Sequence, residues 1–211
     1  SGTDPGMVRS HNEDSIAADP ANGLVVLADG MGGYNAGEVA SGMATTVITT
    51  EMQQLLAKVH PYEVDPETNK VVASRLVREQ VLKANATIYA AAQSQPQYAG
   101  LGTTLVVCLF YDNKALVAHL GDSRLYRMRD GTLKQITRDH SLLQEQIDAG
   151  LTTAEQAAFS SNKNLVTRAV GVEDTVLLEM HLHDVLPGDV YLLCSDGLSD
   201  MLDDETIGQL L

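Results

Sequence analysis

Acidic residues follow apolar runs at three separate places in the sequence, each beside a glycine. The three segments are Leu27-Ala-Asp29-Gly30, His119-Leu-Gly121-Asp122 and Leu193-Cys-Ser-Asp196-Gly197. An Asp-Gly pair alone is most often a structural turn. Taken together with Asn12-Glu13-Asp14, these carboxylates offer the several oxygen ligands from different segments that a hard divalent cation needs. The pattern therefore indicates a metal site.

The glycines around Asp29 favour such a site because they leave the backbone accessible. Gly30, Gly32 and Gly33 carry no side chain that would shield their carbonyl and amide groups from a cation or its waters. The segment lacks the Gly-Lys-Ser/Thr ending of a phosphate-binding P-loop and the G-x-G-x-x-G spacing of a dinucleotide site. The EF-hand ligand pattern is absent as well.

Short apolar runs predict the strands that position these carboxylates. Leu24 to Ala28 is typical of a buried strand whose end delivers Asp29 to a loop. Turns at Asp112-Asn113 and Asp130-Gly131 predict hairpins in the stretch that follows residue 103. The further predicted strands are 104–111, 115–120, 124–128, 132–136, 176–182 and 190–194.

Helical periodicity predicts two long helices between the first strand and the later ones. They cover 37–59, which contains a β-branched stretch, and about 71–92, which has one apolar stripe. A shorter helix is expected from near Ser141, and another after Asp203 or Asp204, each a good N-cap. No repeat or long linker divides the chain, so residues 1–211 are predicted to form one domain with a predominantly antiparallel sheet core.

Composition excludes several classes of partner. The chain has 28 acidic and 14 basic side chains in 211 residues, a formal net charge of -14, which argues against nucleic acid or an anionic membrane as partner. No apolar stretch approaches the roughly 18 residues of a membrane span. Cys108 and Cys194 lie in apolar runs without metal or redox spacing, so we expect buried free thiols and a cytoplasmic location.

Seven segments, in order along nearly the whole chain, resemble the bacterial form of the type 2C, metal-dependent (PPM) protein phosphatase family. They are Gly6-Met-Val-Arg9 with Asn12-Glu-Asp14, Ala28-Asp-Gly-Met-Gly-Gly33, Gly102-Thr-Thr104, Gly121-Asp-Ser-Arg-Leu-Tyr126, Thr137-Arg-Asp-His-Ser-Leu142, Thr167-Arg-Ala-Val-Gly171 and Leu193-Cys-Ser-Asp-Gly-Leu-Ser-Asp200. The resemblance implies an α+β fold with a central antiparallel β-sandwich flanked by helices in four αββα layers. It also implies a flap subdomain over about 141–165.

The resemblance implies two Mn²⁺ or Mg²⁺ ions, with a third in some bacterial members. Asp29 would bridge the pair, the Gly30 carbonyl would bind one ion and Asp196 the other. Asp122 matches the aspartate that, with Asp196, can bind the third ion. The matching residues that hold metal-bound water are Glu13 and Asp14.

Arg9 matches the arginine that grips the substrate phosphate. A guanidinium suits that role because its planar fork donates two parallel hydrogen bonds to an oxyanion. The implied activity is hydrolysis of phosphoserine and phosphothreonine by direct attack of a metal-activated water, on proteins phosphorylated by a cognate serine/threonine kinase. We expect the enzyme to act as a monomer.

The sequence departs from the family pattern in two ways. The family ends in a glycine-rich segment closing with Asp-Asn, which supplies a further metal ligand, and we expect that C-terminal segment to be missing from this chain. A catalytically weak phosphoprotein-binding module is therefore the alternative, and a phosphatase of small molecules is a third reading. Met31 stands where many eukaryotic members carry a histidine as candidate general acid.

Other polar residues carry weaker signals. His181 and His183 share one face of a predicted strand and would make half of a zinc site, but no second ligand pair is evident. His140 is a candidate for proton transfer, although an exposed or capping role suits it better. Ser195 lacks the G-x-S-x-G context of a nucleophile. Arg124 is expected to pair with a carboxylate.

Overall fold

Two antiparallel β-sheets form the centre of the computed structural model. Their strands are β1 Asp14–Asp19, β2 Leu24–Met31, β3 Gly102–Thr103, β4 Leu105–Tyr111, β5 Lys114–Leu120, β6 Arg124–Arg129, β7 Thr132–Gln135, β8 Glu179–Asp184 and β9 Val190–Cys194. The larger sheet has the order β1-β2-β4-β5-β8, with β3 also paired to β2, and the smaller has the order β7-β6-β9.

Helices cover the outer face of each sheet. The helices of the described residues are α1 Ala36–Leu56, α2 Val72–Ser94, α3 Leu142–Asp148, α4 Asp196–Ser199 and α5 Asp204–Leu210, with a short 3-10 turn at Pro96–Tyr98. Of these, α1 and α2 pack on the larger sheet and α5 packs on the smaller one. Of the described helices, none is both long and apolar enough to cross a membrane.

The structure describes residues 1–7, 11–32, 36–66, 68–69, 71–94, 96–98, 100–153, 156 and 165–211. Arg9 and Gly33, which the sequence placed in the site, lie outside the described residues. So does much of the predicted flap over 141–165, of which 141–153, 156 and 165 are described. The flap and the single-domain boundary therefore stay predictions.

Buried apolar residues of the described chain form three separate cores, which lie between four layers of helices and sheets. The first packs α1 and α2 onto the larger sheet, and the second lies between the sheets, where Leu27 and Val117 meet Leu125. The third packs Ile207 of α5 against Tyr126 and Cys194 of the smaller sheet. This arrangement confirms the predicted αββα sandwich. Both cysteines are free and buried, as expected.

Strand β4 shows why its sequence is a continuous apolar run. Leu105, Val107 and Leu109 face the helices, whereas Val106 and Cys108 face the smaller sheet. Because successive side chains of a strand point to opposite faces, a strand buried on both sides needs apolar residues at every position. The strand is therefore central to two cores at once.

The predicted hairpin turns are present. Asp112 and Asn113 have φ of 45° and 56°, and Asp130 and Gly131 have φ of 50° and 72°. Two consecutive left-handed residues match the right-handed twist of the flanking strands, which is why such pairs close two-residue hairpins. They connect β4 to β5 and β6 to β7.

Several element boundaries differ from the prediction. Asp29 lies inside β2, not in a loop after it, because Gly30 and Met31 continue the ladder by pairing with β3. Strand β1 was not predicted. Strand β8 begins three residues later than the predicted 176–182, since it starts at Glu179. The β-branched stretch of the first predicted helix remains helical because α1 buries one face against the larger sheet.

Candidate metal centre

Pairing of β1 with β2 places Asp14 directly opposite Asp29. The two side chains lie on the same face of the sheet, because directly opposed residues of an antiparallel pair share a face. Their carboxyl groups come within hydrogen-bonding reach of each other. Like charges directly opposite one another destabilise a sheet, so this pair needs a proton or a cation between its oxygens.

Asp122 and Asp196 reach the same place from two other strands. Asp122 follows β5 and Asp196 follows β9, and the two strand ends lie at the edge of the sandwich where β2 ends. Both carboxylates are close enough to Asp29 to repel its charge. The three strand ends that the sequence singled out therefore lie close together.

Two adjoining cavities of about 440 Å³ and 150 Å³ surround these carboxylates. Glu13, Asp29 and Asp196 line both of them. Gly30, Met31, Gly32 and Asp122 line the larger cavity, and Asp14 and Ser195 line the smaller. Every described residue of the predicted metal site thus borders one or both of these two cavities.

The carboxylates raise one another's proton affinity. Burial, followed by the charges of Asp14 and Asp196, raises the pKa of Asp29 to about 8. Burial and the charge of Asp196 raise the pKa of Asp122 to about 6. Partly buried oxygens that hold protons this strongly also attract divalent cations, which neutralise several carboxylates at once. The donor set, entirely oxygen, fits Mg²⁺ or Mn²⁺.

Close backbone packing fixes Gly30 at the site. Its N–H donates to the Glu13 carbonyl at 3.0 Å, and a Cβ at this position would overlap the Gly37 carbonyl oxygen. A Cβ at Gly37 would in turn lie 2.5 Å from Glu13 Oε1. The first turn of α1 therefore packs directly on β2 and on the Glu13 carboxylate, where the positive end of the helix dipole favours a negative charge.

The backbone of Asp29 is held by two threonines whose role the sequence did not reveal. The Asp29 N–H donates to Thr104 Oγ1 at 3.1 Å, and Thr103 Oγ1 donates to the Asp29 carbonyl at 2.9 Å. Thr104 Oγ1 also lies 2.7 Å from Ser123 Oγ, and all three hydroxyl-bearing residues are buried. The Gly102-Thr-Thr104 motif was the available signal, but only the fold shows what it contacts.

Ser195 also acts on the carboxylate cluster. Its Oγ donates to Asp14 Oδ2 at 2.8 Å. The hydroxyl is therefore engaged in orienting an acidic side chain, which agrees with the expectation that Ser195 is not a nucleophile.

Replacing Thr104 by valine tests this support for Asp29. The change keeps the shape of the side chain but removes the acceptor for the partly buried Asp29 N–H, so we expect a loss of about 1–2 kcal/mol of stability. We also expect weaker Mn²⁺ binding, because the carboxylate of Asp29 loses its fixed position. Urea unfolding and calorimetric titration with Mn²⁺ measure both. Thr132→Val, on exposed β7, is the matched control and should change neither; equal effects of both substitutions would contradict this role.

A histidine group lies behind Asp122. The rings of His119 and His140 stack with centroids 4.7 Å apart and planes 10° apart, and Glu179 Oε2 is 3.1 Å from His140 Nε2. Ligand atoms of these three residues lie within 4.8 Å of one another. Burial lowers the pKa of both histidines, so both rings are neutral at neutral pH.

The hydrogen bonds of His140 argue against zinc binding by this histidine group. His140 Nδ1 accepts from the Gly121 N–H at 3.2 Å, so the proton of the neutral ring is on Nε2 and faces Glu179. The lone pairs of parallel stacked rings also do not converge on one point. His140 borders neither cavity of the metal centre among their described lining residues. Its visible role is to hold Gly121, next to Asp122.

Contacts in the structure account for the remaining polar residues that the sequence singled out. Arg124 makes a bidentate ion pair with Asp139, through Nε at 3.0 Å and Nη2 at 2.7 Å, as expected for a structural arginine. His181 Nε2 lies 2.9 Å from Glu179 Oε1, and its ring centroid is 6.3 Å from that of His183.

The fold and the carboxylate cluster together define a metal-binding αββα sandwich protein. A family model described as protein phosphatase 2C matches residues 6–209. The chain is 34% identical over 212 residues to the serine/threonine phosphatase stp of Listeria monocytogenes, covering 99% of this chain and 81% of that protein. The chain belongs to the protein phosphatase 2C family.

Mycobacterial relatives give the same result. The chain is 40% identical over 210 residues to the serine/threonine protein phosphatase PstP of Mycobacterium tuberculosis. The match covers 99% of this chain but only 38% of the length of that protein. The crystal structure of M. tuberculosis PstP/Ppp matches with a TM-score of 0.87 at 38% identity, covering 99% of this chain and 82% of the other.

A second PstP structure bears on the metal. The crystal structure of the catalytic domain of PstP in complex with two manganese ions matches with a TM-score of 0.81 at 36% identity, covering 99% of this chain and 81% of that one. The oxygen donor set of the carboxylate cluster suits the same ion.

Proposed function

We propose that the protein is a Mn²⁺- or Mg²⁺-dependent serine/threonine phosphatase that hydrolyses phosphoserine and phosphothreonine on proteins. The observation that carries this proposal is the convergence of four aspartates and Glu13 on two adjoining cavities at the edge of the sandwich. Family membership agrees with it, and a relative of the same fold binds two manganese ions.

The metal roles are proposed for residues that border the two cavities. Asp29 would bridge a pair of ions, as the family resemblance implies and as its position beside the other carboxylates allows; the Gly30 carbonyl and Asp196 would complete the pair of sites. Asp122, beside Asp196, would bind a third ion. Glu13 and Asp14 would hold the waters of the bound ions.

The chemistry divides between the ions and the protein. Divalent cations bound here supply Lewis-acid activation of water and neutralise the phosphoryl oxygens. The chain's own residues hold the acidic side chains in place: Thr103 and Thr104 fix the backbone of Asp29, and Ser195 fixes the carboxylate of Asp14. Arg9, assigned from the sequence to the substrate phosphate, lies outside the described residues.

An assay with and without metal tests the proposed activity. Purified protein should hydrolyse p-nitrophenyl phosphate and a phosphothreonine peptide with Mn²⁺, and chelator should remove that activity. Turnover that persists unchanged in chelator would overturn the proposal. Binding of Mn²⁺ and phosphopeptide without turnover would favour the binding-module alternative, and turnover of small phosphate esters alone would favour a small-molecule phosphatase.

The partners are proposed on the same basis. The substrates are phosphorylated by an opposing serine/threonine kinase, and the enzyme acts as a monomer, which light scattering after gel filtration can measure. The cytoplasmic location stays a prediction.

Asp122→Asn tests whether the third ion binds at a site separate from the proposed pair. The substitution keeps the size of the side chain but removes one charge, so we expect about tenfold weaker binding of the weakest ion, while the two ions assigned to Asp29 and Asp196 remain. Calorimetric titration with Mn²⁺ measures the number of ions and their affinities. Asp112→Asn, in the exposed β4–β5 turn, is the control. Loss of all metal binding in Asp122→Asn would contradict separate sites.

A further inference from the structure

A third cavity, of about 300 Å³, opens beside the metal centre. We call it the side-chain pocket; its apolar walls are Met31, Leu120, Val166, Val172, Val176 and Leu177. Met31 and Val166 also line the larger cavity of the metal centre. The side-chain pocket and the larger cavity therefore share a wall, so a peptide whose phosphorylated residue enters the metal centre can place a neighbouring residue at the side-chain pocket.

Much of the pocket wall comes from one segment, 166–177, which is anchored to the body of the protein at several points. Val170 exchanges two backbone hydrogen bonds with Thr103, at 2.9 and 3.0 Å. Asn85 of α2, which is 1% exposed, accepts from the Gly171 N–H at 2.7 Å and donates to the carbonyls of Glu173 and Asp174. The pocket is thus largely formed before any ligand arrives.

Two glycines allow this wall to approach the metal centre. Gly171 has φ of 89°, and a Cβ there would overlap the Ile88 side chain. A Cβ at Gly102 would lie 2.7 Å from Val172 Cγ2, so Val172 packs directly on the backbone of Gly102. Gly102 precedes Thr103 and Thr104, the residues that hold Asp29. The pocket wall and the metal centre therefore share one rigid support.

Apolar side chains remain exposed around the shared wall. Leu177 is 77% exposed and Val172 is 52% exposed at the pocket, and Leu165, at the metal cavity, is 51% exposed. Apolar surface that is continuous with a binding site is typical of an interaction surface. Among the described residues that line the pocket, the charged ones, Arg168 and Glu173, have opposite signs, so their charges balance.

We propose that the side-chain pocket binds an apolar side chain of the phosphoprotein substrate, such as leucine, methionine or phenylalanine, close in sequence to the phosphorylated residue. This inference rests on the proposed phosphatase function and adds a substrate preference to it. Burial of such a side chain removes its surface and that of Leu177 and Val172 from water, which stabilises the bound peptide. An acidic or basic side chain would lose its hydration without a net opposite charge in the pocket.

Phosphothreonine peptides test the preference. A glycine- and serine-based peptide is varied by placing leucine, glutamate or lysine at each flanking position in turn, and kcat/KM is measured for each. We expect one position at which leucine raises kcat/KM by about tenfold over serine, the scale on which an apolar pocket discriminates. The same assay on p-nitrophenyl phosphate normalises each preparation for its active fraction.

Substitution of Leu177 assigns the preference to the pocket. Leu177→Asp should abolish the advantage of leucine and give lysine the advantage at the same position, because the new carboxylate pairs with an ammonium group. Leu177 is largely exposed, so the change is compatible with folding, which the melting temperature checks. Leu186→Ser, in the β8–β9 connection at the opposite end of the larger sheet, is the matched control and should keep the leucine preference.

The outcomes separate this inference from the proposed function. Hydrolysis of all peptides with equal kcat/KM in the wild type would overturn the side-chain pocket and leave the phosphatase intact. A leucine preference unchanged in Leu177→Asp would also overturn it. Absence of hydrolysis of every phosphopeptide, with Mn²⁺ present, would instead count against the proposed function.

Discussion

Asp29→Asn is expected to abolish Mn²⁺-dependent hydrolysis while making the metal-free protein more stable. Asparagine keeps the shape of the side chain but loses the charge and one anionic oxygen, so it cannot take the bridging role proposed for Asp29. We expect kcat/KM to fall on the order of 10³-fold, equivalent to about 4 kcal/mol of transition-state stabilisation. Calorimetry should show that high-affinity binding of the Mn²⁺ pair is lost.

Asp29→Asn is expected to raise the stability of the metal-free protein, in contrast to its effect on activity, and the size of the gain depends on pH. The pKa of Asp29 in the metal-free fold is about 8, raised from 3.8, so its ionisation opposes folding. This destabilisation is absent below about pH 4, grows as the pH rises, and is complete above about pH 8. Because Asp29 is partly exposed, we expect the substitution to recover about 2 kcal/mol above pH 8, or about 5 °C in melting temperature, and little near pH 4.

Melting curves in chelator across this pH range measure the gain in stability. Asp130→Asn, in the β6–β7 turn where asparagine tolerates the positive φ, is the control and should leave both activity and melting temperature unchanged. If Asp29→Asn were less stable than the wild type in chelator above pH 8, the carboxylate cluster would not be the source of mutual repulsion described above. Mn²⁺ should reverse the order of stability, because only the wild type gains its binding energy.

The acidic residues of the candidate metal centre can be identified from the sequence because their pattern is local. Apolar runs that end in an aspartate beside a glycine, taken together with Asn12-Glu13-Asp14, suggest a metal site without knowledge of the fold. The contacts that hold these residues were not predictable in the same way. Thr104 is 75 residues from Asp29, and Ser195 is 181 residues from Asp14. These hydrogen-bond partners can be identified only once the strand order and register are known.

Strand β1, which the sequence did not predict, shows why strand register is hard to infer from sequence. Its sequence, Asp14-Ser-Ile-Ala-Ala-Asp19, has one large apolar residue, and its burial is mostly intermediate, so no period-two pattern stands out. Its position comes from pairing with β2, which is fully specified by the core on both faces. That pairing is what brings Asp14 to Asp29, so the geometry of the centre depends on a strand that propensity alone does not predict.

Gly30→Ala is expected to damage both the fold and the centre, although it adds one methyl group. The new Cβ would overlap the Gly37 carbonyl oxygen and lie 2.8 Å from the Glu13 carbonyl, and both neighbours are backbone atoms that a rotamer change cannot move. We expect a loss of about 3 kcal/mol or more, with loss of the Mn²⁺ pair as α1 moves away from β2. Urea unfolding and calorimetric titration measure the two effects.

Gly42→Ala is the matched control for Gly30→Ala, because Gly42 lies inside α1 and a Cβ there meets no atom within 4 Å. Alanine in a helix interior should raise stability by roughly 0.5–1 kcal/mol, because the unfolded chain loses conformational freedom. The same chemical change thus has opposite signs at two positions of the chain. Wild-type stability and Mn²⁺ affinity in Gly30→Ala would show that the close approach of α1 to β2 is not needed, and the metal centre would then depend on its side chains alone.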